Sequence, residues 1–473
     1  MDKKLRVHFM GIGGSGMAPI AIIAKKMGFA VSGCDVAATG YYSSALADNG
    51  INIQVGHDLR HLDHIDVLAI TPAILDINPN HPEIIEGRKR NILMTWQQFA
   101  GEYLQKDKFV ISIAGTHGKS TTTVLMGLVL EVGGLDPIVE AGTVYKPWGG
   151  GFRTADSDYF VCEADEFNCN FHHFSPSIAI INNVEMDHPE FFKNFAEVKQ
   201  AFRDFIKKIK APKILIVNEE SSGLREIVID LKEWLEQEKV KVIGYYLHDR
   251  FDFPFVTEYK GELKSAGTDS LVYSVLSDSV HEQLELGVPG IHNVANSLGV
   301  LGAALELGIS TDSVKSAFKR FQGIGRRFEL IGERGGIKVY DDYAHHPTEI
   351  AAGIATCRMS HPGRKLWAIM EPHQISRIKL LFDEFAAALK QADQVIITKP
   401  FLGREIHKNI EPLDMELFVK KVDGNKTRYI EKFADVADYI AGNAKPQDIV
   451  LVFGAGESYK LARNIVENLG KRD

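Results

Sequence analysis

Short apolar runs alternate with helix-period stretches through most of this chain, and that alternation confines it to βαβ units on parallel sheets. The pattern falls into three sets. LRVHFMGI and AVSGCD read as strands of the first, and DVLAITPA as a further strand ending in a proline turn. The polar break KDKF opens the second set with the strand FVISIAG. That set continues through DYFVCEAD, SIAIINN and KILIVN into a turn-rich, β-rich stretch over about 241–290, followed by the helix pattern IHNVANSLGVLGAALELG. FQGIGRRFEL marks a second boundary, with Gly323 and Gly325 able to act as a hinge. GIKVYDDYAHHP, KLWAIMEPH, QVIITKP and DIVLVFGAG are strands of the third set. At roughly 100–200 residues per domain, 473 residues suit three α/β domains, over 1–106, 107–322 and 323–473.

Composition excludes several classes. With 45% hydrophobic and 25% charged residues the chain is ordinary and globular. A net charge of −8 supplies no basic excess to hold polyanions, so neither nucleic acid nor a membrane surface is an expected partner. The four cysteines are scattered and form no C-x-x-C pair, which suits free thiols in a reducing compartment. MDKKLRVHFMGIGG runs into a strand and a glycine turn without a separate apolar signal core, and no uninterrupted apolar run reaches about 18 residues. A cytoplasmic protein is expected.

Gly11-Ile12-Gly13-Gly14-Ser15-Gly16 follows a strand and opens a helix, the context of a dinucleotide fingerprint. Its glycines permit a tight turn and close approach of a diphosphate to backbone N–H groups at a helix N-terminus. Asp35, at the end of the next strand, could meet a ribose hydroxyl. This motif alone leaves NAD and other diphosphate-linked nucleotides equally open. Gly115-Thr116-His117-Gly118-Lys119-Ser120-Thr121 is a second phosphate loop. It departs from G-x-x-x-x-G-K-[ST], because Ile113 stands where the first glycine belongs. Its chemistry survives: Lys119 can reach the β- and γ-phosphates, and the Ser120 hydroxyl can face Mg²⁺. Four consecutive hydroxyl residues, Ser120 to Thr123, begin a helix poorly unless something uses them.

Acids follow in the expected place. Glu163, Asp165 and Glu166 end a neighbouring strand, where P-loop enzymes hold Mg²⁺. Asp187-His188 follows the next strand-like run and could face the same ion. The third set carries Arg326-Arg327, Asp341-Asp342 with His345-His346, and Glu371-Pro372-His373-Gln374-Ile375-Ser376-Arg377. Arginines beside a hinge can reach a transferring phosphate. The plain structural alternatives are a ligand-free βα turn, a capped helix start, a solvated acidic loop and a capped βα loop.

Taken together and in order, the glycine loop, GTHGKSTTT, EADE, NNVEMDH, HNVANS, GRRFE and DDYAHHPTE resemble the Mur ligase family, over nearly the whole chain. These are ATP-dependent enzymes that build the peptidoglycan stem peptide. The resemblance implies a UDP-binding Rossmann-like domain, a central P-loop ATPase with a parallel sheet, and a Rossmann-like C-terminal domain that captures the amino acid. It implies that Gly11 to Gly16 and Asp35 hold a UDP-sugar and not NAD. It implies ATP at Gly115, Thr116, His117, Gly118, Lys119, Ser120, Thr121, Asn293, Asn296, Arg327 and Asp342, and magnesium at Ser120, Glu163 and His188. Lys119, His188, Arg327 and Asp342 would be catalytic, and His346, His373 and Arg377 would sit near the amino acid.

Within the family, HFMGIGGSGM, VSGCD, RRFELIGE, DDYAHHPTEI and EPHQISR are most similar to members that join L-alanine to UDP-N-acetylmuramate. The alternative is the relative that reattaches a recycled L-Ala-γ-D-Glu-meso-diaminopimelate tripeptide. Ser120 stands for the usual Thr. Gln374 stands where the L-alanine-adding members carry a second Arg, and FNCNF replaces the common SDASF. Lys199 lies in the helix where several relatives carry a carbamylated lysine, and it is given no such role. An NAD-linked oxidoreductase would leave GTHGKST and EADE unused, and a non-catalytic ATP module would not need Glu163, His188, Arg327 and Asp342 together. A monomer or homodimer is expected.

Overall fold

The structure, a computed structural model, describes residues 4–38, 40, 42–406 and 410–471. The extreme termini of the expected first and third domains lie outside the described residues. Three sheets organise the molecule. The first orders its strands Ile53–Val55, Ala30–Asp35, Arg6–Met10, Val67–Ile70 and Leu93–Thr95, all parallel. The chain crosses over between the neighbouring strands Arg6–Met10 and Val67–Ile70. In such sheets a ligand crevice opens at the carboxyl ends of that pair. The glycine loop after Met10 and the Thr71-Pro72 turn after Ile70 lie there.

The central sheet has ten strands. Six consecutive ones are parallel to their neighbours: Lys241–Tyr246, Ile214–Asn218, Ile178–Ile181, Phe109–Ala114, Tyr159–Ala164 and Ile138–Tyr145. An antiparallel hairpin partner, Gly150–Arg153, ends one edge. At the other edge Thr257–Ala266 pairs parallel with Lys241–Tyr246 and leads into the meander Leu271–Leu276 and His281–Leu286. The middle strands are buried on both faces, which is why they read as continuous apolar runs. The helices Lys119–Val132 and Ile291–Glu306 pack together on one face.

The third sheet orders Glu329–Arg334, Ile337–Asp342, Ile449–Phe453, Leu366–Met370, Gln394–Ile397 and Thr427–Tyr429. Only its first strand is antiparallel. Apolar clusters cover its two faces separately. The stretch between the second and third sheets is held at both ends. Thr143 Oγ1 donates to the Gly325 carbonyl at 3.1 Å. Arg326 is buried against the third unit, bonding Asp341 at 3.1 Å, the Gly454 carbonyl at 2.6 Å and Ser458 at 2.8 Å. All four cysteines are free, and no helix among the described residues is long and apolar enough to cross a membrane.

Candidate active site

The phosphate loop joins the strand Phe109–Ala114 to the helix Lys119–Val132. Its turn depends on two glycines. Gly115 has φ +134, and Gly118, which caps the helix, has φ +81. A Cβ at Gly118 would come within 2.7 Å of Asn296 Oδ1 and 2.9 Å of Asn182 Nδ2, so only glycine fits there. Asn183 pins the loop, accepting from His117 N–H at 2.8 Å through its side chain and from Thr116 N–H at 3.1 Å through its carbonyl.

Lys119 turns back into the loop. Its Nζ donates to the Gly115 carbonyl at 2.6 Å and to Glu166 at 2.8 Å, with Asp165 at 3.9 Å. Burial pulls this ammonium down, but Glu166, Asp165 and Glu163 outweigh it and leave it raised and charged. His117 behaves alike. Burial opposes its charge, yet contacts to Glu185 and Glu349, each at 3.4 Å, raise it to about 9. A cationic His117 and Lys119, each paired with carboxylates, therefore flank the turn that opens the helix, an anion cradle at a helix N-terminus.

Two cavities meet at this loop. The first, of about 430 Å³, has His117, Gly118, Thr121, Asn293, Asn296, Arg327 and Asp342 in its wall. The second, of about 370 Å³, takes residues from all three units: Gly14, Ser15 and Gly16 of the first loop, Thr116, Lys119, Ser120, Glu163 and His188 of the central unit, and His345 and Arg404 of the third. Gly118, Gly325, Arg327 and Glu349 line both. Arg327 ion-pairs with Glu349 at 2.9 Å.

Of the acids, Glu166 is buried and Glu163 half-buried, while Asp165 stays partly open to solvent. Glu163 accepts from Gly142 N–H at 2.6 Å and from Ser120; burial raises its carboxyl more than these bonds lower it. Glu140, behind it, is raised further by burial and by Glu163, and its Oε2 has no hydrogen-bond partner. Glu166 Oε1 is likewise buried and unpartnered. Asp165, Glu166 and His188 each present a ligand atom within 4.8 Å of the others. Asp165 and Glu166, with Glu166 Oε1 unspent, and the nearby Ser120–Glu163 pair supply oxygen donors of the kind a hard divalent cation such as Mg²⁺ takes. His188, at φ 54, is held in the left-handed region beside Asp187 and Glu190.

Several expected residues stand elsewhere than anticipated. Gly11, Ile12 and Gly13 line neither cavity. They build the turn, with Gly11 and Ile12 N–H donating to the Cys34 carbonyl at 2.8 and 3.1 Å. Asp35 braces the glycine loop, its carboxylate accepting from Gly13 N–H at 2.8 Å and Val36 N–H at 2.7 Å. Gly115 likewise shapes its loop without lining a cavity. Of the histidine pair, His345 lines the second cavity, whereas His346 caps the helix Pro347–Ser360 and faces the Met186 carbonyl at 3.3 Å. His373 and Arg377 line neither cavity. Arg377 is 1% exposed, bonded to Asp187 at 2.8 Å and His373 at 2.9 Å, and His373 stacks on Phe401. Gln374, at φ 64, is buried beside Glu190 with its Oε1 unpartnered.

Other residues carried no assignment in the sequence. Glu349 and Glu185 sit inside the quoted motifs PTE and NNVEMDH, and an acid paired across units was the available signal. Glu140, Thr71 and Trp96 lie in no motif, and only the fold brings them to the second cavity. Arg404 stands over the Phe167 ring at 3.7 Å in the same wall.

Known proteins share this architecture. Residues 6–106 match the Mur ligase family, catalytic domain; residues 113–304 match the Mur ligase middle domain; residues 326–456 match the Mur ligase, glutamate ligase domain. The chain is 35% identical over 462 residues to a UDP-N-acetylmuramate–L-alanine ligase of Caldicellulosiruptor bescii, covering 96% of this chain and 97% of that protein. It is 32% identical over 471 residues to the protein of that name from Acetivibrio thermocellus, covering 99% and 97%. Among solved structures it is similar to UDP-N-acetylmuramate–alanine ligase from Thermotoga maritima, with a TM-score of 0.80 at 26% identity over 99% of this chain and 100% of that one. A murein peptide ligase from Psychrobacter arcticus, at 24% identity and a TM-score of 0.70 over 98% and 99%, shares the fold.

Proposed function

This chain belongs to the Mur ligase family, and from that premise we infer that it is the ATP-dependent ligase that joins L-alanine to the carboxylate of UDP-N-acetylmuramate in peptidoglycan precursor synthesis. The observation that carries the reading is the anion cradle at Lys119 between two cavities, one of which reaches the glycine loop of the first unit. The full-length likeness to UDP-N-acetylmuramate–L-alanine ligases supports L-alanine over the tripeptide.

ATP occupies the first cavity, with its nucleoside between Asn293, Asn296 and Asp342 and its phosphates on the loop. UDP-N-acetylmuramate enters the second, its diphosphate over Gly14, Ser15 and Gly16. The lactyl carboxylate then attacks the γ-phosphorus; ADP leaves and an acyl phosphate forms. Lys119, His117 and Arg327 offset the charge that gathers on the transferring group. Ser120, Glu163 and the Asp165–Glu166–His188 group would hold Mg²⁺, which when bound would neutralise phosphate charge. The neutral amine of L-alanine attacks the acyl carbon and phosphate departs.

In the third unit Arg404 supplies the guanidinium for the amino-acid carboxylate, which the neutral Gln374 does not. His345 orients the amine. Its Nδ1 faces the Tyr343 carbonyl at 3.0 Å, and burial holds it at about 4, so a neutral Nε2 is left as an acceptor. His346, His373 and Arg377 act from behind, fastening the third unit to the central one. We place the domain boundaries at 1–106, 107–322 and 323–473 and the enzyme in the cytoplasm, as a monomer or homodimer. Phosphate release tests the reading: it should require UDP-N-acetylmuramate and favour L-alanine over glycine, L-serine and the recycled tripeptide. Preference for the tripeptide, or release without the UDP-sugar, overturns it.

A further inference from the structure

The first unit buries a group of side chains that the ligase reaction does not use. His8 and Ser32 are paired across neighbouring parallel strands, and Cys34 lies on the same face two residues on. The His8 Nδ1 is therefore 2.9 Å from Ser32 Oγ, and its Nε2 is 3.3 Å from Cys34 Sγ. From the other side come His61, in the short helix Leu59–Leu62, and Glu83, in the first turn of Pro82–Lys89. Nδ1 of His61 is 2.8 Å from Glu83 Oε1. His8, Cys34, His61 and Glu83 each offer a donor atom, and all four atoms lie within 4.8 Å of one another. His57 and His81 complete the surround, 3.5 and 3.7 Å from Glu83 Oε2.

Two further observations set this apart from an ordinary polar core. Glu83 is wholly buried, yet its Oε2 has no hydrogen-bond partner. Its Oε1 accepts from Asp58 N–H at 3.2 Å, so the unspent capacity is that one oxygen, and a buried carboxylate oxygen left without a donor or cation is rare. The Ser32 hydroxyl engages the ring nitrogen of His8 that faces away from the cluster, the arrangement by which ligating histidines are oriented. Met10, Leu62, Leu68, Ile70 and Ile84 pack around Cys34 and keep the site dry.

We infer that His8, Cys34, His61 and Glu83 form a binding site for a zinc-type divalent transition metal, apart from the catalytic Mg²⁺ position. One thiolate, two imidazoles and one carboxylate suit zinc and not magnesium, which takes oxygen donors. A tetrahedral ion with bonds of about 2.0–2.3 Å spaces its ligands roughly 3.3–3.6 Å apart; the His8–Cys34 edge already has that length, and the His61–Glu83 edge, now a 2.8 Å hydrogen bond, opens to it when the ion enters. The site lies directly beneath the glycine loop, because the Cys34 carbonyl receives the Gly11 and Ile12 N–H groups and Asp35 receives that of Gly13. The metal fastens the turn that carries Gly14 to Gly16.

The test uses the full chain without a polyhistidine tag, stripped by chelator and titrated with cobalt(II) and zinc. We expect one equivalent of cobalt with the visible bands of a tetrahedral ion and a thiolate-to-cobalt charge-transfer band, all displaced by zinc. Cys34→Ser should abolish the charge-transfer band and weaken zinc binding at least about 100-fold. Ser32→Ala, outside the ligand set, should weaken it about 10-fold with the band retained. If Cys34→Ser does not fold, His61→Gln, at the half-buried side, should lower affinity while keeping the band. No stoichiometric metal on the wild-type chain, an octahedral cobalt spectrum, or a charge-transfer band that survives Cys34→Ser overturns the inference.

Discussion

At the scale of single residues, Lys119 and His117 carry the largest consequences. Lys119→Ala removes a cation from the phosphate cradle, and we expect phosphate release to fall by about 10³ or more. The first unit is untouched by the change, so UDP-N-acetylmuramate binding measured by calorimetry should persist. Retained ligase activity would refute the assignment of Lys119. His117 predicts a pH dependence. Its folded value, about 9, lies above the ordinary 6.5. The protonated ring is then favoured by folding, so its contribution is complete below pH 6.5 and fades as pH rises through 9. That contribution is of order 3 kcal/mol. Denaturation of His117→Gln between pH 6.5 and 9 should show a flatter stability profile than wild type.

At the scale of elements, much was legible. AVSGCD, read as a strand, is the strand Ala30–Asp35, and FVISIAG contains Phe109–Ala114. Parallel strands buried on both faces leave unbroken apolar runs, and glycine loops announce the strand-to-helix turns. What stayed hidden was direction. His345 and His346 are adjacent in sequence, and nothing local says that one enters a cavity while the other caps a helix. Asp35 was visible as an acid at a strand end, but its use as a brace depends on where Gly13 N–H points. The helix Lys119–Val132 makes its own prediction. Gly118→Ala forces a Cβ onto the left-handed cap and against Asn296 and Asn182. Strain of about 1–2 kcal/mol should lower the melting temperature by a few degrees, and the KM for ATP should rise at least tenfold.

At the scale of the whole molecule, the third unit is clamped to the second by polar contacts that run from a buried ion pair to an exposed hydrogen bond. Arg377 bonds Asp187 with both side chains nearly sealed from water, His346 reaches the Met186 carbonyl, and Thr348 donates to Glu185 at 2.7 Å. Arg377→Ala strands the Asp187 carboxylate, and breaking a buried pair in this way costs about 3–5 kcal/mol. We expect looser closure, seen as a larger radius of gyration by small-angle scattering, together with a raised KM for L-alanine. An unchanged radius and KM would remove Arg377 from the clamp.

Gly118, Gly325, Arg327 and Glu349 stand in the walls of both cavities. The partition between the chambers is thus only a few side chains thick. An inhibitor that begins as an adenine mimic in one chamber and extends past Arg327 into the other would fill both at once. Its selectivity over ordinary ATP-binding proteins would come from the far half, because the second chamber exists only where three units converge.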